Sequence, residues 1–233
     1  MRSSLSVAIA LAMTCVAAAT ASAQWTENFD SYANGSALHG QGGWTGWNGN
    51  PSTTSYVFAG IARSAPNADA QVSNADMVRQ IAGVNSGAWV FTAWCYIPAG
   101  IGGRDYVTLY NTYYPSDLSS RSTDLVLDMF DNVVKDNLNP TSPQVPLVRD
   151  QWAQIRVEFD FELDWQRVFY NGTLLHEESW SGGSAPGGAL RLQALGLYSA
   201  GAPTIFYDDI QLRQGGPTAV DGRSWGRIKA SYR

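Results

Sequence analysis

Trp152-Ala153-Gln154-Ile155-Arg156-Val157-Glu158-Phe159-Asp160-Phe161, followed after a charged turn by Gln166-Arg167-Val168-Phe169-Tyr170-Asn171-Gly172-Thr173-Leu174-Leu175, is the stretch whose reading decides the fold. From Ala153 to Phe161, Ala153, Ile155, Val157, Phe159 and Phe161 alternate with Gln154, Arg156, Glu158 and Asp160. That period of two belongs to a strand with one buried and one wet face. Asn171-Gly172 tolerates positive φ at both central positions of a tight turn and so closes a hairpin. Three antiparallel strands in series are predicted.

The same alternation recurs elsewhere. Between Trp89 and Ile97, the residues Trp89, Phe91, Ala93, Cys95 and Ile97 share one face, leaving Val90, Thr92, Trp94 and Tyr96 on the other. Asp105 to Thr112 turns Val107 and Leu109 inward and Tyr106, Thr108 and Tyr110 outward; Asp124 to Phe130 turns Leu125, Leu127 and Met129 inward. A first strand is expected over Trp25 to Tyr32 and closing strands over Ala189 to Tyr198 and Thr204 to Leu212. Weaker candidates lie at Ser55 to Ala62 and Asp76 to Ile81, and there is no internal repeat. The expectation is an all-β, two-sheet antiparallel sandwich of jelly-roll type over residues 24–214.

The termini read differently. Arg2, the apolar run Leu5 to Ala19 and Ala21-Ser22-Ala23 have the form of a secretory signal peptide over residues 1–23, so the protein is expected to be secreted or held at the cell surface. About 210 residues then remain, enough for one sizeable core, and no other apolar run is long enough to span a membrane. Cys95 would be the only cysteine left, so no internal disulfide forms. Residues 215–233 read as a linker and a short basic tail. Between them, residues 24–214 hold 10 basic and 19 acidic side chains, a net charge of −9. Such a body repels nucleic acid and polyanionic polysaccharide at long range, whereas a neutral glycan or calcium suits it.

Trp-x-x-Ile-x-Val, a polar turn and Phe-Tyr-Asn-Gly-x-Leu-Leu together resemble the signature hairpin of concanavalin A-like, laminin-G-like jelly rolls. Ile205-Phe206-Tyr207-Asp208-Asp209-Ile210-Gln211-Leu212 is similar to the closing strand of such sandwiches, which pairs with an N-terminal strand like Glu27-Asn28-Phe29-Asp30. The resemblance implies the fold of lectins, carbohydrate-binding modules, glycoside hydrolases and polysaccharide lyases, and one fold hosts all of these activities. The terminal Trp225-Gly226-Arg227-Ile228-Lys229-Ala230-Ser231-Tyr232-Arg233 is similar to tails of exported bacterial proteins.

Several constellations could carry chemistry. If Trp89 to Ile97 pairs with Asp105 to Thr112, then Trp94, Tyr96, Tyr106 and Tyr110 form one exposed platform for sugar rings, with Asp128, Arg156, Glu158 and Asp160 as hydrogen-bond partners. The glycine-rich Gly40 to Asn50 loop presents Trp44 and Trp47, either as sugar-stacking groups or as a cap on the sandwich. Glu158, Asp160 and Glu162 resemble the Glu-x-Asp-x-Glu strand of laminarinase-type glycoside hydrolases, giving a catalytic alternative. In those enzymes, however, the acidic strand lies upstream of the hairpin.

The motifs of alginate-type lyases are absent, and one cysteine with two separated histidines makes no ordinary zinc set. Glu27, Asp30, Asp208 and Asp209 would meet if the first and last strands pair, offering oxygen ligands to a structural calcium. The favoured reading is thus a secreted, non-catalytic carbohydrate-binding or adhesion module. A hydrolase and a ligand-free envelope or matrix domain are its alternatives.

Overall fold

The turn at Asn171-Gly172 takes positive φ at both residues, 45° and 79°, and joins two strands of the expected three. The computed structural model describes residues 23–115, 118–139, 141–182 and 188–215. The strands are β1 (Ala23–Glu27), β2 (Trp44–Gly46), β3 (Tyr56–Phe58), β4 (Ala68–Gln71), β5 (Asp76–Val84), β6 (Ala88–Tyr96), β7 (Arg104–Thr112) and β8 (Ser120–Asp128). They continue as β9 (Val133–Asp136), β10 (Val145–Pro146), β11 (Trp152–Asp160), β12 (Trp165–Tyr170), β13 (Thr173–Glu178), β14 (Leu192–Ala200) and β15 (Ile205–Gln214). The expected leader, up to residue 22, and the tail beyond Gly215 lie outside the described residues. Among the described residues, no helix is long and apolar enough to cross a membrane.

Two antiparallel sheets pack face to face. The first runs β13-β12-β11-β6-β15-β4-β3, with β1 also paired to β15; the second runs β10-β9-β8-β7-β14-β5-β2. Phe91, Ala93 and Cys95 on β6 and Ile155, Val157 and Phe159 on β11 meet Val107 and Leu109 on β7, Leu125 and Leu127 on β8, and Leu195 and Leu197 on β14 in one core. Phe159 stacks on Trp180 at 4.5 Å between ring centroids, and Phe161 meets the same indole edge-on at 5.3 Å. The inward sets predicted for β6, β7, β8 and β11 are the sets the core contains.

One pairing differs from expectation, and it matters most for the site. β6 is flanked by β11 on one edge and β15 on the other, whereas β7 lies between β14 and β8. The connector between β6 and β7 therefore crosses from one sheet to the other instead of closing a hairpin. Alternation reveals which face of a strand is buried but not which strand lies beside it, and both edges of β6 are already filled.

Smaller differences share a cause in local chemistry. The first strand stops at Glu27, because Phe29 takes a positive φ of 60° and turns its ring into the core. β4 carries no alternation signal, since Ala68, Asp69, Ala70 and Gln71 are all buried.

β4 contributes to a polar seam inside the sandwich. Tyr207 on β15 lies opposite Asp69 and donates its hydroxyl to Asp105 Oδ1 on β7 at 2.6 Å. Burial, with the charge of Glu27 adding to it, pushes the Asp69 carboxyl from 3.8 up to about 7. The folded state thus keeps a proton that the unfolded chain releases nearer pH 4. This contribution to stability is complete below the unfolded value and fades as pH rises through about 7. Asp69→Asn is expected to flatten the fall in melting temperature across that window and to raise the melting temperature above it. An unchanged pH slope would contradict a buried proton at Asp69.

Candidate functional site

The outward face of the second sheet holds a cleft of about 170 Å³. Its walls are aromatic. Tyr106 on β7 and Tyr198 on β14 are cross-strand partners whose rings stack at 5.6 Å and 29°. They are outward because Val107, Leu109, Leu195 and Leu197 beside them face the core. Tyr110, two residues along the same face from Thr108, packs against Trp47 at 5.8 Å and Tyr113 at 5.8 Å, and Trp47 meets Tyr113 edge-on at 5.4 Å.

Two glycines make this arrangement fit. A Cβ at Gly196 on β14 would come within 2.8 Å of Tyr110 Cε2, so the missing side chain lets the tyrosine ring lie over the neighbouring strand. A Cβ at Gly46 would collide with the Asn50 carbonyl, in the short loop that carries Trp47. That loop is pinned by a hydrogen bond from Gly46 N–H to His39 Nδ1 at 3.0 Å and another from Asn50 N–H to the Trp47 carbonyl at 3.0 Å. His39 therefore acts as an acceptor and positions Trp47.

The polar groups of the cleft are Asp76, Thr108, Arg121 and Asp124. Asp124 is buried and accepts from Thr108 Oγ1 at 2.7 Å, Arg121 Nη1 at 2.6 Å and Asn137 Nδ2 at 2.8 Å. Its oxygens are thus committed to protein donors, and its role is to hold the Arg121 guanidinium in place. Arg121 remains 44% exposed, with further N–H groups to offer. Burial raises the Asp76 carboxyl to about 6 and lifts the hydroxyls of Tyr106 and Tyr110 above the usual tyrosine range, so both phenols are neutral donors at ordinary pH. Rings, hydroxyls, a carboxylate and a guanidinium converge in a single depression.

Only part of the predicted platform is here. Tyr106, Tyr110 and Trp47 line the cleft, but Trp94 and Tyr96 sit on the outer face of the opposite sheet, as the β6 pairing requires. Trp94 is covered by the Arg63 guanidinium, 3.9 Å above its ring, and Arg63 is in turn paired with Asp209. Tyr96 packs between Trp152 at 5.7 Å and Phe206 at 6.3 Å.

Arg156 and Glu158 also belong to that far face, joined in an ion pair, with Arg167 Nη2 3.2 Å from the second Glu158 oxygen. Trp44 does not face solvent: it is fully buried, 6.0 Å from Trp25 and 6.2 Å from Phe29, with its Nε1–H on Glu27. Asp128, on the cleft's sheet, is buried between Arg104 Nε and Lys135 Nζ, both at 2.8 Å. Burial works against its charge, but these two cations hold the carboxyl well below its usual range.

Glu158 and Asp160 lie on β11, but Glu162 does not share their strand. β11 ends at Asp160, whose Oδ1 caps the following turn by accepting from the Glu162 and Leu163 N–H groups, and Glu162 is exposed in that turn. Glu158 is clamped by two arginines. The calcium set is likewise spread over protein donors, although β1 does pair with β15 as expected. Glu27 accepts from Phe29 N–H and the Tyr32 hydroxyl, Asp30 from Asn67 N–H, and Asp208 from the Arg63 and Ser64 N–H groups.

Asp76, Arg121, Asp124 and Tyr198 line the cleft without being singled out as candidates by the sequence. For Tyr198 the signal was present, as the outward neighbour of Leu197. For the rest, only the strand order brings them together.

No family model matches the chain, and no curated relative matches it. Solved structures match in fold. A carbohydrate esterase from Shiga toxin-encoding bacteriophage phi24B aligns at a TM-score of 0.56 and 9% identity, over 84% of this chain and 100% of that one. A sialidase aligns at 0.54 and 6% identity, over 82% of this chain and 18% of its own. A Trypanosoma rangeli sialidase in complex with 2,3-difluorosialic acid aligns at 0.53 and 12% identity, over 83% of this chain and 31% of its own. The chain thus spans less than a third of either sialidase. The likeness is one of fold: all three share a β-sandwich with this chain.

Because Gly196 leaves the space that the Tyr110 ring occupies, Gly196→Val is expected to overpack the site. The expected cost is about 1–3 kcal/mol in denaturant unfolding. A value near zero would show that the ring does not rest on β14.

Proposed function

We propose that this protein is an exported, non-catalytic carbohydrate-binding or adhesion module of the concanavalin A-like, laminin-G-like kind, and that it takes a neutral glycan in the cleft on its second sheet. The observation that carries the proposal is the stacked Tyr106–Tyr198 pair beside Trp47 and Tyr110, around the fixed Arg121–Asp124 unit. Aromatic faces cover the apolar faces of sugar rings, while guanidinium, carboxylate and phenol groups fix hydroxyls. An affinity near 1 mM requires only about −4 kcal/mol, which a few such contacts supply.

Binding without turnover is supported by the state of the carboxylates. Asp124 has its oxygens engaged by protein donors and Glu158 is held by Arg156 and Arg167 on the far face, so Asp76 stands in the cleft without the second free carboxylate that glycoside hydrolysis ordinarily uses. The preference for a neutral ligand rests on the net charge of −9 over residues 24–214 and on Asp76 at the cleft. Export rests on the apolar leader, and surface attachment on the basic tail.

A glycan array read for both binding and reducing-sugar release tests the proposal. Binding without release is expected. Tyr106→Ala and Tyr198→Ala are each expected to weaken binding by about tenfold, or about 1.4 kcal/mol, while Trp94→Ala on the far face leaves it unchanged. Release that disappears in Glu158→Gln would replace this reading with a hydrolase. Silence in both assays would leave a structural domain.

A further inference from the structure

The side of the sandwich away from β1 carries a cluster that the sugar cleft does not use. Asp136 ends β9 in the second sheet, on the inward face it shares with Val134, and is 2% exposed. His176 and Glu178 lie on β13, the edge strand of the first sheet. A bulge aims them. Phe169 pairs with Leu174 but Val168 pairs with His176, so Leu175 is the extra residue and both it and His176 are buried. Glu178 then falls opposite the inward Gln166. Bulges of this kind re-aim side chains and are common beside functional sites.

Three of the polar atoms so gathered, one on Asp136 and two on His176, lack a hydrogen-bond partner. One ligand atom each from Asp136, His176 and Glu178 lie within 4.8 Å of one another. His176 Nδ1 is 3.6 Å from Asp136 Oδ2, and His176 Nε2 is 3.5 Å from Glu178 Oε1, both beyond a normal hydrogen bond. Neither ring nitrogen of His176 has a hydrogen-bond partner, nor has Asp136 Oδ2, although His176 is only 7% exposed. Orphaned polar atoms in the interior are costly unless something completes them.

We propose that Asp136, His176 and Glu178 bind a divalent transition-metal cation, Zn²⁺ by preference, which ties the β9 and β13 sides of the two sheets together. The donor set decides the choice. Calcium and magnesium take oxygen ligands, whereas an imidazole nitrogen suits zinc and its first-row neighbours, and zinc also accepts Asp and Glu oxygens.

The surroundings are those of an oriented ligand set. The Leu138 N–H holds Asp136 Oδ1 at 2.9 Å and leaves Oδ2 free. Gln166 Nε2 reaches Glu178 Oε1 at 3.2 Å, and the Gln166 carbonyl is itself fixed by Thr123 Oγ1 at 2.7 Å. Such second-layer bonds hold metal ligands in place. The Glu178 side chain is 19% exposed and opens a path from solvent.

The test uses the untagged, EDTA-treated full chain, titrated with ZnCl₂ and, in parallel, with CaCl₂. Saturable binding of one Zn²⁺ per chain with a rise in melting temperature is expected, and no comparable rise with Ca²⁺. His176→Gln should abolish the Zn²⁺ effect and Glu178→Gln should weaken it by about tenfold or more, since even outer partners act on that scale. Glu177→Gln, on the exposed face of the same strand, should bind as the wild type does. Should a variant fail to fold, Co²⁺ added to the wild type supplies the readout: new visible bands from a nitrogen-ligated site are expected. An unchanged aqueous Co²⁺ spectrum, no saturable Zn²⁺ binding, or equal binding by His176→Gln would each overturn the proposal.

Discussion

The structure depends on the pleat of β7 and β14. Val107, Leu109, Leu195 and Leu197 reach the core only if Tyr106, Tyr110 and Tyr198 face the other way, and a slip of one residue would exchange the two sets. Burying one such aliphatic side chain is worth about 1.5–3 kcal/mol, so the four together far outweigh any preference of the exposed tyrosines. The core therefore fixes the walls of the cleft. Gly196 and the His39-pinned loop then complete them, the first by vacating space and the second by delivering Trp47.

Much of the fold was legible because one-faced burial leaves a period of two in the sequence. β6, β7, β8 and β11 carry the inward residues that their alternation announces, and Asn171-Gly172 closes its hairpin. Neighbours across a sheet leave no such trace. Trp94 and Tyr106 each read correctly as outward, yet they lie on opposite outer faces, because β15 and β11 fill both edges of β6. A site assembled from several strands is thus readable residue by residue but not as a set. Tyr106, Tyr110 and Trp47 can be named from the sequence and line the cleft, Asp76, Arg121 and Asp124 line it through strand order alone, and Trp44 is core.

Polar residues inside the sandwich defeat the same reading for another reason. Asp69 and Gln71 make β4 look irregular, and His176 looks like a turn neighbour until the β13 bulge turns it inward. Each such group is costly to bury unless completed. The Tyr207 hydroxyl does this for one oxygen of Asp105, and we assign a cation to the Asp136–His176–Glu178 group. On the outer face of the first sheet the pattern is different again. There two of the rings are covered by arginines, Arg63 over Trp94 at 3.9 Å and Arg156 over Phe169 at 3.8 Å, while Tyr56 and Phe58 on β3 stay exposed; what distinguishes the second sheet is the fixed Arg121–Asp124 pair beside its rings.

The most direct test is an NMR titration of the isotope-labelled protein with a neutral oligosaccharide that it retains. Shift changes concentrated at the Trp47 indole N–H and at the amides of Tyr106, Thr108, Tyr110 and Tyr198 are the predicted result. Changes that map instead to Trp94, Tyr96 and Arg156 would place recognition on the wrong side of the sandwich and contradict the account.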